Sequence, residues 1–299
     1  KGLSTISLKV GVPIKVMLAQ KAKDVEDGFR QVGKPAAIEY KYDGFRLQIH
    51  KSKGAISLFT RRLENVTQQF PDVVKYAREY IKGNEYILDS EAVGYSTKTR
   101  KYLPFQLVSR RIKRKYDIDK VERELPVEVN IFDVIYYEGK SYITTPFKER
   151  RKLIEKIVKS VPLKIKPCEH IETSNEHEGK KLLAKALDSG NEGVMIKALD
   201  APYKPGSRVG YMLNLKPTFD TLDLVVIGAD WGEGKRAKFL SSFYIACIDE
   251  YGNFPEIGKV GSGIKELEDS AEGATMQEMT ALLKPLVTSE KGKTITVKP

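Results

Sequence analysis

The chain has few of the residues from which metal and disulfide sites are usually built. It contains two cysteines, Cys168 and Cys247, which lie far apart and outside any CxxC pair, and three scattered histidines, His50, His170 and His177. These numbers exclude a disulfide framework and a zinc ribbon, and they argue against a histidine metal centre or a Ser-His-Asp triad. Any chemistry is therefore expected to depend on lysine, arginine and carboxylate side chains.

Long apolar segments are also missing. No apolar run reaches about 18 residues, so the sequence predicts no membrane-spanning helix. The chain begins at Lys1, without a signal-like segment, and we expect it to be a fragment or a processed product. Its 299 residues favour two domains.

Basic residues are in clear excess, because 51 Lys and Arg face 40 Asp and Glu and give a formal charge of +11. Such an excess predicts a polyanionic partner, of which nucleic acid is the commonest. The alternative is an inert basic surface of the kind found in thermophiles rich in Lys and Glu.

The order of sequence patterns predicts a sheet-rich domain followed by a smaller β domain. Strands are expected at 36–60, with turns at 43–44 and 53–54, then at 86–95, 126–137, 191–198 and 211–217; helices are expected at 71–81, 146–159 and 175–188. Residues 217–223 are typical of a linker, and the strands beyond it, with one helix near 275–287, indicate a barrel of the OB type. We therefore predict domains at 1–218 and 219–299. The last strand stops at Pro299, so we expect the barrel to be truncated.

One segment, Lys41-Tyr-Asp-Gly-Phe-Arg46, has the composition of a reactive turn. We expect the turn to place Lys41 and Arg46 on neighbouring strands of one pocket. A nucleophilic lysine must be neutral, which burial or a nearby cation such as Arg46 favours. The alternative is an ordinary surface lysine beside a hairpin turn.

Acidic residues interrupt two apolar strand patterns. Alternation predicts that Asp89 and Glu91 share one face of their strand. Inward carboxylates are costly unless cations, a sugar hydroxyl or a metal pair with them. Glu192 likewise precedes a strand that ends in Lys197. The alternative for each is an acidic strand face or strand end in water.

Three further positions complete the candidate set. Lys216 closes a short strand, Phe132 lies in a strand that can present an aromatic face to a base, and Arg61 follows a strand. Singly, Lys216 is more typical of a solvated strand end and Phe132 of a core aromatic, while Arg61 is typical either of a phosphate contact or of a solvated arginine. Their joint order favours nucleotidyl transfer: a lysine attacks an α-phosphate, carboxylates hold Mg²⁺ or ribose, and cations, including Lys216, neutralise charge.

These segments resemble the motifs of covalent nucleotidyltransferases, and specifically of archaeal and eukaryotic ATP-dependent DNA ligases. The resemblance is carried by residues 39–46, 60–65, 88–93, 132–136, 192–197 and 213–217, and also by 104–106, 110–115 and 231–236. It implies an α+β fold, in which a nucleotidyltransferase domain of ATP-grasp-like antiparallel sheets and helices precedes an all-β OB-fold domain.

The resemblance also implies roles for individual residues. Lys41 would form a lysyl-AMP, Glu39 would contact the adenine amino group, Phe132 would stack on the ring, and Arg46 and Glu91 would hold the ribose region. Further contacts are implied with AMP or the nick 5′-phosphate (Arg61), with Mg²⁺ (Glu91 and Glu192) and with phosphate (Arg208 and Lys216).

The implied reaction has three steps: Lys41 takes AMP from ATP, AMP passes to the 5′-phosphate of a nick in duplex DNA, and the 3′-hydroxyl displaces it. A monomer without membrane association, in an archaeal cytoplasm or a eukaryotic nucleus, is expected, with a sliding clamp as a candidate partner. Two features depart from the family pattern. Asn214 stands where a lysine is usual, and no Arg-x-Asp-Lys motif follows, so we expect this chain to self-adenylate slowly.

Two other functions stay open at this stage. A GTP-dependent capping enzyme or an RNA ligase shares the KxDG motif and would differ in the nucleotide that it accepts. A noncatalytic nucleic-acid-binding module would bind DNA in a salt-sensitive way and accept no label from either nucleotide.

Overall fold

The computed structural model describes residues 8–112, 114, 116–217, 222–262, 264–266 and 274–299. Contacts between Cα atoms divide the chain into two compact units, Lys1–Pro217 and Thr218–Pro299. Within the described ranges, no helix is long and apolar enough to cross a membrane.

The N-terminal unit alternates strands with short helices. Its elements in chain order are β1 (Leu18–Lys21), α1 (Val25–Val32), β2 (Ala36–Lys41), β3 (Phe45–Ser52), β4 (Ala55–Thr60), α2 (Pro71–Tyr80), β5 (Tyr86–Gly94), α3 (Phe105–Ile112), α4 (Ile118–Glu124), β6 (Val127–Tyr137), β7 (Lys140–Ser141), α5 (Phe147–Ile157), β8 (Ile165–Pro167), β9 (His170–Thr173), α6 (Glu176–Asp188), β10 (Gly193–Ala198) and β11 (Arg208–Leu215). The predicted strands and helices of this region are present. The helices α1, α3 and α4 and the short strands β1, β7, β8 and β9 were not predicted.

Two sheets form the unit. The first has the strand order β1-β11-β10-β2-β9, and the second has the order β4-β3-β5-β6-β7, with β8 beside β6. Neighbours pair antiparallel except for β1 with β11 and β6 with β8. Alternation along β3 explains how the second sheet is built, because Leu47 and Ile49 enter its apolar core while Gln48 and His50 are buried against other segments.

The turn at 43–44 corrects one prediction. It does not join neighbouring strands, because β2 belongs to the first sheet and β3 to the second. The chain crosses between the sheets at Gly44, where a Cβ atom would lie 2.4 Å from the carbonyl oxygen of Ala92. The glycine is therefore required by a close backbone approach and not by a hairpin. The other turn, at 53–54, does join the hairpin β3–β4 as predicted.

The C-terminal unit contains β12 (Val225–Trp231), β13 (Leu240–Ala246), β14 (Glu256–Val260), α7 (Met276–Leu283), β15 (Val287–Lys291) and β16 (Thr294–Val297). Its strands form one antiparallel sheet in the order β14-β13-β12-β16-β15. A capping box between Thr275 and Glu278 begins α7. Of the predicted linker, residues 218–221 lie outside the described ranges.

Candidate active site

A cavity of about 1480 Å³ lies in the N-terminal unit and takes its walls from both sheets. It is lined by all nine residues to which the family resemblance gives a site role: Lys41, Glu39, Arg46, Arg61, Glu91, Phe132, Glu192, Arg208 and Lys216. The nine residues come from the five strands β2, β3, β5, β6 and β11 and from positions directly beside β4, β10 and β11.

Lys41 is the last residue of β2, and its ammonium contacts the carboxylate of Glu192. The same carboxylate lies 2.7 Å from Nζ of Lys216. Backbone geometry fixes this triad, because the N–H of Glu192 donates to the carbonyl of Lys41 at 2.8 Å. The following Gly193 has φ +144°, and a Cβ atom there would lie 2.1 Å from the carbonyl oxygen of Leu215. Glu192 thus holds two cations at one point of the cavity.

Arg46 is fixed by more partners than the sequence suggested. Its Nε donates to Asp89 at 2.9 Å, its Nη2 contacts the other oxygen of Asp89, and its Nη1 donates to the carbonyl of Met17 at 2.8 Å. A further contact of 3.3 Å joins Nη2 to the hydroxyl of Tyr203. The carboxylate of Asp89 thereby balances the charge of Arg46, which was expected to act as a cation near Lys41.

Glu39 lies deep in the cavity wall, with 1% of its surface exposed. Its Oε2 contacts Nζ of Lys197, and its Oε1 lies 3.6 Å from Nη1 of Arg151. Within the described residues, Oε1 has no hydrogen-bond partner. A buried carboxylate oxygen without a donor is costly, so this atom is suited to accept a hydrogen bond from a ligand.

Phe132 presents a half-buried ring to the cavity. The guanidinium of Arg46 and the ammonium of Lys197 each lie 5.1 Å from the ring centroid. Met195 lines the same cavity. An aromatic face of this kind can stack on a planar base.

The two carboxylates expected to bind metal have opposite electrostatic environments. Desolvation raises the pKa of Glu91 to about 8, although the charges of Arg46 and Lys41 act in the other direction. Burial also raises the pKa of Glu192, but hydrogen bonds from Lys216 and Lys41 outweigh it and leave the pKa below its usual value. Among the described residues, no cluster of three or more His, Cys, Asp or Glu could hold a metal alone. Two carboxylates nevertheless fit Mg²⁺, which commonly completes its octahedron with waters and substrate phosphates.

The remaining candidates lie at the edges of the cavity. Arg61 is exposed directly after β4, and Arg208 is exposed at the start of β11, where its Nη1 donates to the carbonyl of Ala19 at 2.6 Å. Asn214, the residue that departs from the family pattern, also lines the cavity. Both arginines can offer charge to phosphate oxygens.

Sequence reasoning missed the wall formed by α3. Phe105, Ser109 and Ile112 line the cavity, and the N–H of Phe105 donates to Asp43 at 3.3 Å. The acidic residue of the turn therefore anchors the start of this helix. Two residues could have indicated this contact. Pro104 is typical of a helix start, and Asp43 carries a carboxylate that can accept a hydrogen bond from outside its own turn.

Comparison with known proteins gives the family. A family model described as "ATP dependent DNA ligase domain" matches residues 16–216. The DNA ligase of Nanoarchaeum equitans is 51% identical over 300 residues, covering 100% of this chain and 53% of that protein. The DNA ligase of Thermococcus fumicolans is 43% identical over 302 residues, covering 100% of this chain and 52% of that protein.

Solved structures share the fold. A mycobacterial DNA ligase D complexed with ATP and MES has a TM-score of 0.53 at 23% identity, covering 96% of this chain and 86% of that one. The ligase domain of Mycobacterium tuberculosis LigD has a TM-score of 0.52 at 24% identity, with the same coverage. The chain spans about half the length of the relatives cited above. Because the family model covers more than half of the chain, this protein belongs to the ATP-dependent DNA ligase family.

Proposed function

We propose that this chain is the catalytic core of a DNA ligase that seals nicks in duplex DNA with ATP, and that Lys41 is its nucleophile. The observation that carries the proposal is the contact of Lys41 with Glu192 inside a cavity that also holds Arg46, Phe132 and Lys216. A primary amine in such a site can attack an α-phosphate while nearby cations stabilise the charge that develops.

The first step requires the neutral amine of Lys41. Its ammonium transfers a proton to the carboxylate of Glu192, which is in contact with it, and Glu192 passes the proton on to water. The bond from Nζ to the α-phosphorus then forms as the bond from that phosphorus to pyrophosphate breaks. Lys216, which shares Glu192, stays beside the reacting phosphate as a cation.

Several side chains support a preference for adenine over guanine. Oε1 of Glu39 is a buried acceptor with no hydrogen-bond partner among the described residues, and it suits the 6-amino donor of adenine. Guanine would present a carbonyl oxygen to the same carboxylate and would be repelled. Phe132 supplies a stacking face, and Arg46 and Glu91 are proposed to hold the ribose region.

Glu91 and Glu192 are the residues that we propose to hold Mg²⁺. When bound, the ion would supply positive charge to the phosphate oxygens of the nucleotide. Arg208 and Lys216 are proposed to bind phosphate, and Arg61 is proposed to contact AMP or the 5′-phosphate of the nick.

The later steps concern DNA. We propose that AMP passes from Lys41 to the 5′-phosphate of a nick and leaves when the 3′-hydroxyl attacks. The net charge of +11 supports a polyanionic substrate. We propose domains at 1–218 and 219–299. The antiparallel sheet of the second, together with helix α7, supports an OB fold. We further propose that the protein is a monomer, that it works in an archaeal cell and that a sliding clamp is its partner.

Labelling with ATP tests the first step. The protein is incubated with Mg²⁺ and ATP carrying the label at the α-phosphate, and Lys41→Ala is compared with Lys75→Ala, which removes an exposed lysine of α2. We expect label on the parent and on Lys75→Ala, and none on Lys41→Ala. Labelling of Lys41→Ala at the parent rate would refute the proposal, and labelling by GTP in place of ATP would favour a capping enzyme. Transfer to nicked DNA is then measured with the full-length protein.

A further inference from the structure

Tyr203 lies at a junction of four chain segments beside the cavity, and none of the functions above uses it. Its side chain is buried, with 1% exposed. The hydroxyl donates to Oδ2 of Asp89 at 2.8 Å and accepts from the N–H of Met17 at 3.2 Å and from Nη2 of Arg46 at 3.3 Å. One donation and two acceptances use the full hydrogen-bonding capacity of a tyrosine hydroxyl.

The segment that precedes the cavity is held by side chains of β3. Arg46, Gln48 and His50 are alternate residues of that strand and so share one face. Each of them binds the backbone of residues 11–17: Arg46 Nη1 to the Met17 carbonyl at 2.8 Å, Gln48 to the N–H and carbonyl of Ile14 at 3.2 and 2.6 Å, and His50 Nδ1 to the N–H of Gly11 at 3.0 Å. Tyr203 joins this row at its cavity end, and residues 17–19 then line the cavity.

The hydrogen bonds of Arg46 leave little freedom to its guanidinium. Of its five N–H donors, four are used by Asp89, Met17 and Tyr203 among the described residues. The fifth, on Nη1, is left for a ligand in the cavity. Without the hydroxyl of Tyr203, Nη2 of Arg46 would lose one of its two acceptors and the N–H of Met17 would lose its acceptor.

We propose that Tyr203 is a positioning residue for nucleotide binding, which acts through Arg46. The hydroxyl sets the plane of the Arg46 guanidinium so that its remaining N–H faces the nucleotide, and it also holds Met17, whose carbonyl accepts a hydrogen bond from Arg46. This inference rests on the proposed function, because it requires that ATP occupies the cavity.

The test removes one oxygen atom at each of two buried tyrosines. In Tyr203→Phe the three hydrogen bonds are lost; in the matched control Tyr86→Phe, a fully buried hydroxyl loses one bond of 3.1 Å to the carbonyl of Ala77, away from the cavity. The rate of self-adenylation is measured against ATP concentration, together with the melting temperature. Both changes are repeated in an Arg46→Ala background.

We expect Tyr203→Phe to raise the KM for ATP roughly tenfold, with the maximal rate nearly unchanged, because hydrogen bonds to charged groups are lost. Tyr86→Phe should lower the melting temperature and leave the KM unchanged. In the Arg46→Ala background, Tyr203→Phe should add less than about twofold, since the group that it positions is gone.

An unchanged KM in Tyr203→Phe would overturn the inference. So would an equal rise in the Arg46→Ala background, or the same rise in Tyr86→Phe, because either result would indicate a purely structural role. If the parent protein accepts no label from ATP, the proposed function itself fails, which is a different outcome.

Discussion

The buried ion pair between Arg111 of α3 and Asp72 of α2 gives a prediction whose size can be derived from the structure. The side chains are 1% and 3% exposed. Arg111 donates to both carboxylate oxygens, at 2.8 and 2.7 Å, and also to the carbonyls of Leu125 and Gln69 at 3.0 and 3.2 Å. Its guanidinium carbon lies 4.4 Å from the centroid of the Phe70 ring. The pair therefore ties the cavity wall formed by α3 to its neighbours.

The change Asp72→Ala leaves the charge of Arg111 buried without a counter-ion. Removing one partner of a buried pair costs about 3–5 kcal/mol, because the remaining charge keeps its desolvation penalty. Replacing both residues by apolar ones, in Asp72→Leu with Arg111→Met, should cost clearly less than the single change. The free energy of unfolding, measured in urea by circular dichroism, checks both values.

A surface ion pair of the neighbouring helix is the control. Lys120 and Glu124 lie 4.0 Å apart, with 70% and 59% of their side chains exposed. Glu124→Ala should change the free energy of unfolding by no more than about 0.5 kcal/mol. The reasoning is refuted if Asp72→Ala costs as little as Glu124→Ala, or if the double replacement costs more than Asp72→Ala alone.

Three further predictions concern pH, base stacking and the turn. Burial lowers the pKa of His50 from 6.5 to about 4. Because the unfolded chain then binds a proton that the folded chain does not, the free energy of unfolding should fall by up to roughly 3 kcal/mol as the pH drops from 6.5 to about 4. In His50→Gln, the urea midpoint should lose this part of its pH dependence. Phe132→Ala should weaken ATP binding by roughly 1–3 kcal/mol if a base stacks there; an unchanged Kd in equilibrium dialysis contradicts this. Gly44→Ala places a Cβ 2.4 Å from the Ala92 carbonyl oxygen and should abolish labelling, whereas Gly258→Ala, which meets nothing within 4 Å, should not.

Much of the fold followed from local patterns. Alternation along β3, β5 and β6 and the apolar spacing of α2 depend on neighbouring residues, so the sequence predicts them well. The short helices α1, α3 and α4 were missed because apolar spacing over only about two turns is a weak signal and tertiary packing stabilises such helices. The crossing between sheets at Gly44 could not be predicted, since a turn motif does not say which sheet its second strand joins.

The candidate site divides in the same way. The residues of each motif could be named from the sequence, and the structure places them in one cavity. Their individual roles stay predictions. Which of these residues pair with one another could not be predicted. Asp89 and Tyr203 are 114 residues apart in sequence, and Glu192 is 151 residues from Lys41. Such pairs are created by the packing of sheets and loops, and no local pattern encodes them.

Peptide mapping tests most directly whether Lys41 carries AMP. The protein is incubated with ATP and Mg²⁺, digested, and analysed by mass spectrometry for the peptide that contains Lys41. We predict one AMP on Nζ of Lys41, and no adenylated peptide from Lys41→Ala. AMP on another residue, or an adduct that persists in Lys41→Ala, would contradict it.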